Sequence, residues 1–251
     1  MHDEGRIWTA GLVIIGDEIL SGRTQDANLG YLARWLGVQG IRLKEVRVVA
    51  DDMAAIGAAV TALSGAHDYL FTTGGIGPTH DDITVDAIAA ALGLEVVVHP
   101  EARAILADHY GDKLNDARLR MARTPEGASL IHNPRTKAPG IRIGNIFIMA
   151  GVPMITQGML AALDGQLEGG LPVLSRTVGA WTQESAAADT LVAVETAHPG
   201  VQIGSYPFWR EGKTGANFVL RSTSAAQLET VVGALMAALA AAGIAAVDGE
   251  I

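Results

Sequence analysis

A short apolar run, Tyr69-Leu70-Phe71, ends in a turn with three glycines in four residues, Gly74-Gly75-Ile76-Gly77, before residues 85–92 take up helical spacing. A strand that enters a helix through such a turn leaves backbone N–H groups pointing outward at the helix start, where the helix dipole favours negative charge. Gly74, Gly75 and Gly77 either let that backbone approach a phosphate or serve only to allow positive φ. The same turn carries Asp81 and Asp82. Carboxylates beside a phosphate repel it unless a cation lies between them. The pattern therefore points to a site for a metal-bound phosphate ester.

The rest of the chain supplies a sheet around that turn. Residues 9–15 are continuously apolar, as in a strand buried on both faces, and end at Gly16-Asp17-Glu18. A helix is expected over 28–38, a strand over 41–49, a helix to residue 63 capped by Asp51 or Asp52, and a third strand over 68–72. A short strand over 95–98 and an exposed helix over 101–121 follow. Then come a strand at 129–131, a hairpin of 140–143 and 145–149 about Gly144, and a helix over 154–166 opened by Gly151-Val152-Pro153. Alternating strands and helices predict an α/β fold, a three-layer, mostly parallel sheet. Ligands of such sheets gather outside the carboxyl ends of the strands, where the polar turns at 16–18 and 73–82 fall. After a Gly- and Pro-rich linker, a strand over 173–181, a helix over 183–195, strands over 201–206 and 216–222 and a helix over 225–242 predict a small α+β domain. The expected domains are 1–168 and 172–251.

Composition narrows the partners. The formal net charge of −9 argues against a general nucleic-acid or anionic-membrane binder. The absence of cysteine removes thiolate chemistry. The apolar stretch 231–247 is alanine-rich and broken by Gly233 and Gly243, so it reads as a packed helix and a short strand and not as a membrane span. Residues 1–5 lack the plan of a signal peptide, which makes a cytoplasmic protein the expectation. The histidines show no zinc-binding spacing, and His80, beside the aspartate pair, reads as a surface turn residue or a proton shuttle.

Three separated motifs carry a family resemblance. Gly16-Asp17-Glu18-Ile19-Leu20-Ser21-Gly22, with Asp26 and Asn28, resembles the opening of CinA-type (competence/damage-inducible protein A) proteins. Thr73-Gly74-Gly75-Ile76-Gly77-Pro78-Thr79 with Asp81-Asp82-Ile83-Thr84 resembles the signature of the wider MoaB/MogA-like molybdopterin-binding superfamily. Ala138-Pro139-Gly140 and Gly151-Val152-Pro153 resemble its later motifs. The chain departs from the family pattern at Arg118-Leu119-Arg120-Met121-Ala122, at Thr136-Lys137 and at Ala150. Full-length CinA proteins carry a further deamidase domain for which 251 residues leave no room, so deamidase activity is not expected.

The resemblance implies metal-dependent hydrolysis of a nucleotide diphosphate such as ADP-ribose. A molybdopterin-binding or pterin-adenylating module, or a non-catalytic regulatory relative, are the alternatives. It makes Asp82 the functional aspartate, holding a divalent ion such as Mg²⁺ with Asp81 as second ligand or as helix cap. Glu18 and Asp17 become acid/base or metal candidates. Asp26 and Asn28 either contact a pterin or base edge or, for Asn28, cap a helix. Thr73 and Thr79 offer hydroxyl donors, Thr79 equally a local cap. Arg135 and Lys137 offer cations for a diphosphate, and Gly151 joins the ligand-binding set while Pro153 shapes its turn. The implied partners are a small-molecule nucleotide or pterin and further copies of the chain, with no nucleic acid and no membrane.

Overall fold

The computed structural model describes residues 6–210 and 212–251; the polar stretch 1–5 read above lies outside them. The chain divides into two compact units, Met1–Gly170 and Leu171–Ile251. No helix among the described residues is long and apolar enough to cross a membrane.

The first unit is built from β1 (Trp8–Ile15), α1 (Asp17–Leu20), α2 (Asn28–Val38), β2 (Ile41–Val49), α3 (Met53–Ala66), β3 (Tyr69–Thr73) and α4 (Thr84–Leu92). Then follow β4 (Val96–Val98), α5 (Pro100–Tyr110), α6 (Asp116–Leu119), β5 (Arg123–Pro125), β6 (Ser129–Ile131), β7 (Gly140–Ile143), β8 (Ile146–Met149) and α7 (Pro153–Ala161). Six strands form one sheet in the order β2-β1-β3-β8-β7-β6. β2, β1, β3 and β8 run parallel, and the β7 and β6 edge is antiparallel. This is the expected mostly parallel α/β fold. β1 and β3 bury nearly every residue because helices cover both faces of the sheet. Asp52 caps α3, accepting the N–H groups of Ala54 and Ala55.

One sheet face is held by an aromatic ladder. Trp8 stacks on Tyr69 at 5.8 Å, Phe71 stacks on Phe147 at 4.9 Å, and Tyr69 and Trp35 meet the ladder edge-on. The opposite face packs Val13, Ile15, Leu70 and Ile148 against Ile56, Val60 and Ile88. These two layers fix where β1, β3 and β8 end, and so where their turns meet.

Three expectations are corrected. The helix over 101–121 is broken: α5 ends at Gly111, whose φ of 51° is left-handed, and Asn115 starts α6 by accepting the Arg118 N–H at 2.9 Å. Nor is the segment simply exposed, since Ala102, Leu106 and Ala122 form a small core with Tyr110 and Met121 against it. The strand at 95–98 does not join the main sheet; β4 pairs antiparallel with β5, a strand whose Arg-Thr-Pro sequence carries no apolar signal. The turn at Gly16-Asp17-Glu18 is the start of the one-turn helix α1, because the Asp51 carboxylate accepts the Asp17 N–H at 3.0 Å.

The second unit comprises β9 (Leu174–Ala180), α8 (Glu184–Ala197), β10 (Gln202–Arg210), β11 (Lys213–Ser222), α9 (Ala225–Ala241) and β12 (Ala246–Asp248). Its sheet has the order β10-β11-β9-β12, antiparallel throughout, with α8 and α9 packed by Leu191, Val231 and Leu235 over Phe218 and Val178. β10 forms one edge, carries Pro207 at mid-strand and shows Trp209 72% exposed.

Phe71 is fully buried in the ladder. Phe71→Ala is expected to destabilise the protein by about 3–5 kcal/mol, read as a lowered midpoint in urea denaturation.

Candidate functional site

The parallel strands end in turns that touch. The Gly74 N–H donates to the Met149 carbonyl at 3.1 Å, and Gly74 holds φ 105°. A Cβ there would lie 2.1 Å from the Ile15 oxygen, and one on Gly151 would lie 3.3 Å from the Gly74 Cα. Only residues without side chains allow the ends of β1, β3 and β8 to come this close. Thr84, fully buried at the start of α4, ties the turn down. Its hydroxyl donates to the Gly74 carbonyl at 2.9 Å and its N–H to the Gly75 carbonyl at 3.1 Å.

Above this junction opens a cleft of about 780 Å³. Gly74, Gly75, Gly77 and Gly151 line it, as do Glu18, Asp81 and Asp82. The N–H groups of Gly75, Ile76 and Gly77 have no acceptor among the described residues. Those seven site candidates are therefore brought together at the carboxyl ends of the strands.

The other candidates stand elsewhere. Thr73 is buried in the end of β3, its hydroxyl without a partner, and does not line the cleft. Thr79 donates both its N–H (2.7 Å) and its hydroxyl (2.5 Å) to Asp82 Oδ2, so it braces the turn. Asp17 is exposed on α1, outside the cleft lining. Asp26 accepts the Leu29 N–H at 2.8 Å and caps the start of α2. Asn28 is buried and donates to the Gly151 carbonyl at 2.7 Å, holding the Gly-Val-Pro turn in place. Arg135 is exposed, and Lys137, the one described non-glycine residue at positive φ (66°), lines a separate cavity of about 370 Å³ with His109 and His132. His80 is 96% exposed.

Sequence reasoning missed several groups on the cleft wall. Arg118 lies over the Tyr110 ring at 4.5 Å and donates to the Lys113 carbonyl; both residues line the cleft together with Met121. Asn133 is buried and organises the loop beyond β6, donating to Thr136 Oγ1 and the Ala138 carbonyl at 2.7 Å and accepting the Arg135 N–H at 3.0 Å. A readable signal existed only for Asn133, an Asn before Pro at a strand end.

The charges lining the cleft are Glu18, Asp51, Asp81 and Asp82 against Arg118 alone. Burial pushes the Asp51 carboxyl above the usual carboxylate range, and repulsion from Asp17, Glu18 and Asp81 adds to this. Yet no three His, Cys, Asp or Glu side chains among the described residues gather closely enough to hold an ion, and Asp82 already serves Thr79. A cation held here would rest on one or two of these carboxylates together with the oxygens of a bound ligand.

Comparison with known proteins follows this geometry. Residues 11–168 match the family model described as "Probable molybdopterin binding domain", and residues 172–248 match that of "FAD synthase, middle domain". A "CinA-like protein" of Syntrophus aciditrophicus is 34% identical over 216 residues, covering 80% of this chain and 51% of the relative. A "Probable FAD synthase" of Caenorhabditis elegans is 29% identical over 262 residues, covering 92% of this chain and 50% of the relative. The crystal structure of a CinA protein "with unknown function" from Thermoplasma acidophilum superposes with a TM-score of 0.59 at 33% identity, covering 63% of this chain and 98% of that one. The chain spans about half to three fifths of the length of the first curated relatives it matches.

Two outcomes are expected. Asn28→Ala frees the Gly151 carbonyl and is expected to cost about 1–3 kcal/mol in chemical denaturation. Asp51 has a raised pKa in the folded state, so its contribution favours folding at acid pH and is lost as pH rises through the folded pKa. Asp51→Asn keeps an acceptor for Asp17 and is expected to raise the thermal midpoint at pH 7, with the gain over wild type vanishing below about pH 4.

Proposed function

We propose, from the premise that this chain belongs to the molybdopterin-binding-domain family and is a CinA-type member of it, that the cleft binds a small molecule joining a flat heterocycle to a phosphate, a molybdopterin-type pterin. The unsatisfied amides of Gly75, Ile76 and Gly77 beside an otherwise acidic cleft carry this reading, because such donors attract an anion where side chains would repel it. The Tyr110 and Met121 wall offers a flat ring an apolar surface. Glu18 and Asp51 offer acceptors to ring amino groups.

A second reading, cleavage of a nucleotide diphosphate such as ADP-ribose, draws on different features. The Asp51 carboxyl, with its raised pKa, and Glu18 are general-base candidates in the cleft. The similarity to a "Probable FAD synthase" also extends through both units of this chain. In this reading a divalent cation is shared between one or two cleft carboxylates and the oxygens of the diphosphate.

Titration calorimetry with molybdopterin, ADP-ribose and FAD, each with Mg²⁺, separates the readings. Pterin binding in the micromolar range without turnover is the expected outcome. Hydrolysis of ADP-ribose or FAD, with no pterin affinity, replaces the first reading by the second. Folded protein that binds none of the three overturns both.

A further inference from the structure

The second unit is unevenly charged. Of the four Lys and Arg in residues 171–251, Arg210, Lys213 and Arg221 lie on β10 and β11. The fourth, Arg176, makes the ion pairs of this unit's described residues, with Glu229 and Asp248. Glu184, Asp189 and Glu195 are carried by α8 and Glu229 by α9, while Glu211 lies outside the described residues. Strand register separates the two signs further. Val178, Phe218 and Leu220 turn toward α8 and α9, so the residues alternating with them face away from both helices. Tyr206, Phe208 and the three cations belong to that outer face, and no Asp or Glu occupies a described strand position on it. The chain after β12 returns along its β9 side, where the Ile251 N–H donates to Asn217 Oδ1 at 3.3 Å with Glu250 exposed beside it.

The rings of this face lie on glycine. A Cβ on Gly215 would come within 2.4 Å of Phe208 Cζ, and one on Gly204 within 3.1 Å of Tyr206 Cε2. Trp181, next after β9, meets Phe208 edge-on at 5.5 Å. Tyr206 is 48% and Trp181 46% exposed. The Arg210 guanidinium lies 5.2 Å from the centre of the Phe208 ring, and that of Arg221 lies 5.6 Å from the centre of the Tyr206 ring and donates to its hydroxyl. Of the unit's five aromatic residues, only Phe218 belongs to its core.

We propose that this face binds single-stranded nucleic acid, its rings stacking on bases and its three cations following the phosphates. The proposal is independent of the reading of the first unit's cleft. An open four-stranded sheet with aromatic side chains and cations suits such a polymer, because every base has a π face and the backbone is a row of negative charges. Side chains two apart on one strand, as Tyr206 and Phe208 are, stand roughly 7 Å apart, so the face offers more stacking positions than one mononucleotide fills. An acidic peptide would use the cations and leave the rings bare. A second copy docked through the same face would bring arginines against arginines. The net charge of −9 weighs against nucleic acid only as an average over the chain, since the acids of this unit are gathered on its helices and the cations on its sheet.

The test titrates the whole chain into a short fluorescein-labelled oligouridylate and follows its anisotropy. Binding in the micromolar range at low salt is expected, with log K falling against log salt at a slope of about −2, from three cations at about −0.7 each. Tyr206→Ala and Trp181→Ala are each expected to weaken binding roughly 10-fold. Arg210→Gln is expected to flatten the salt slope by about 0.7. Unlabelled oligouridylate displaces the probe, and poly-glutamate of equal charge is expected to do so about 10-fold less well. Folding of each variant is checked by thermal denaturation, and if the ring variants do not fold, the salt slope of Arg210→Gln decides. Folded wild type that leaves the probe free at low salt overturns the proposal. So does displacement by poly-glutamate as effective as by oligouridylate, which makes the face a site for acidic peptides, or equal displacement by AMP, which makes it a mononucleotide site. Ring variants within twofold of wild type, with an unchanged salt slope in Arg210→Gln, overturn it as well.

Discussion

The close approach of three backbones governs the first unit. β1, β3 and β8 end so near one another that a single methyl group on Gly74 would strike the Ile15 carbonyl. That crowding is sustained from below by the stacked rings of Phe71 and Phe147 and, on the other face, by Val13, Leu70 and Ile148 against the covering helices. Dense packing does not let strand ends drift, so the turns inherit a fixed geometry. Thr84 and Asn28 then brace the two turns from opposite directions, one from α4 and one from α2. The cleft is thus a consequence of strand register more than of loop sequence.

Charge is distributed unevenly around that rigid floor. Glu18 and Asp51 belong to the ends of β1 and β2, whereas the cations lie in the broken segment after α5 and in the strand that follows. The acidic side crowds its carboxylates until burial and mutual repulsion hold Asp51 above its ordinary titration range. The other side leaves donors without acceptors. On the proposed reading, a ligand with a polar heterocycle at one end and a phosphate at the other would meet acceptors on one side and unpaired amides on the other.

Much of this was legible in the residues. The apolar run of β1, the helical spacing of α2, the cap at Asp52 and the hairpin about Gly144 are local signals, and the structure forms them. The glycine turn was legible as a candidate site for the same reason, because its demand is on backbone alone. What escaped depends on contacts distant in sequence or on a missing periodicity. The break at Gly111 brings Arg118 over Tyr110, but a reading of 101–121 as one helix hides that wall. Asn28 could be read as a cap, yet its partner is the Gly151 carbonyl, 123 residues away. β5 was invisible because a three-residue strand ending in proline has no alternation to detect. Arg135 and Lys137 drew notice as the bases nearest a motif, whereas the cation that lines the cleft is Arg118.

The second unit presents a different problem, set by the outer strand of its sheet. β10 has β11 on one side only, and its exposed flank offers main-chain groups to any strand of like length. Pro207 sits at the middle of that strand and has no N–H to give. An incoming chain therefore cannot zip along the full length of β10, and the ladder that would seed a fibril is interrupted halfway. A single imino acid at this edge lets a hairpin carry an exposed tryptophan without inviting sheet-to-sheet polymerisation.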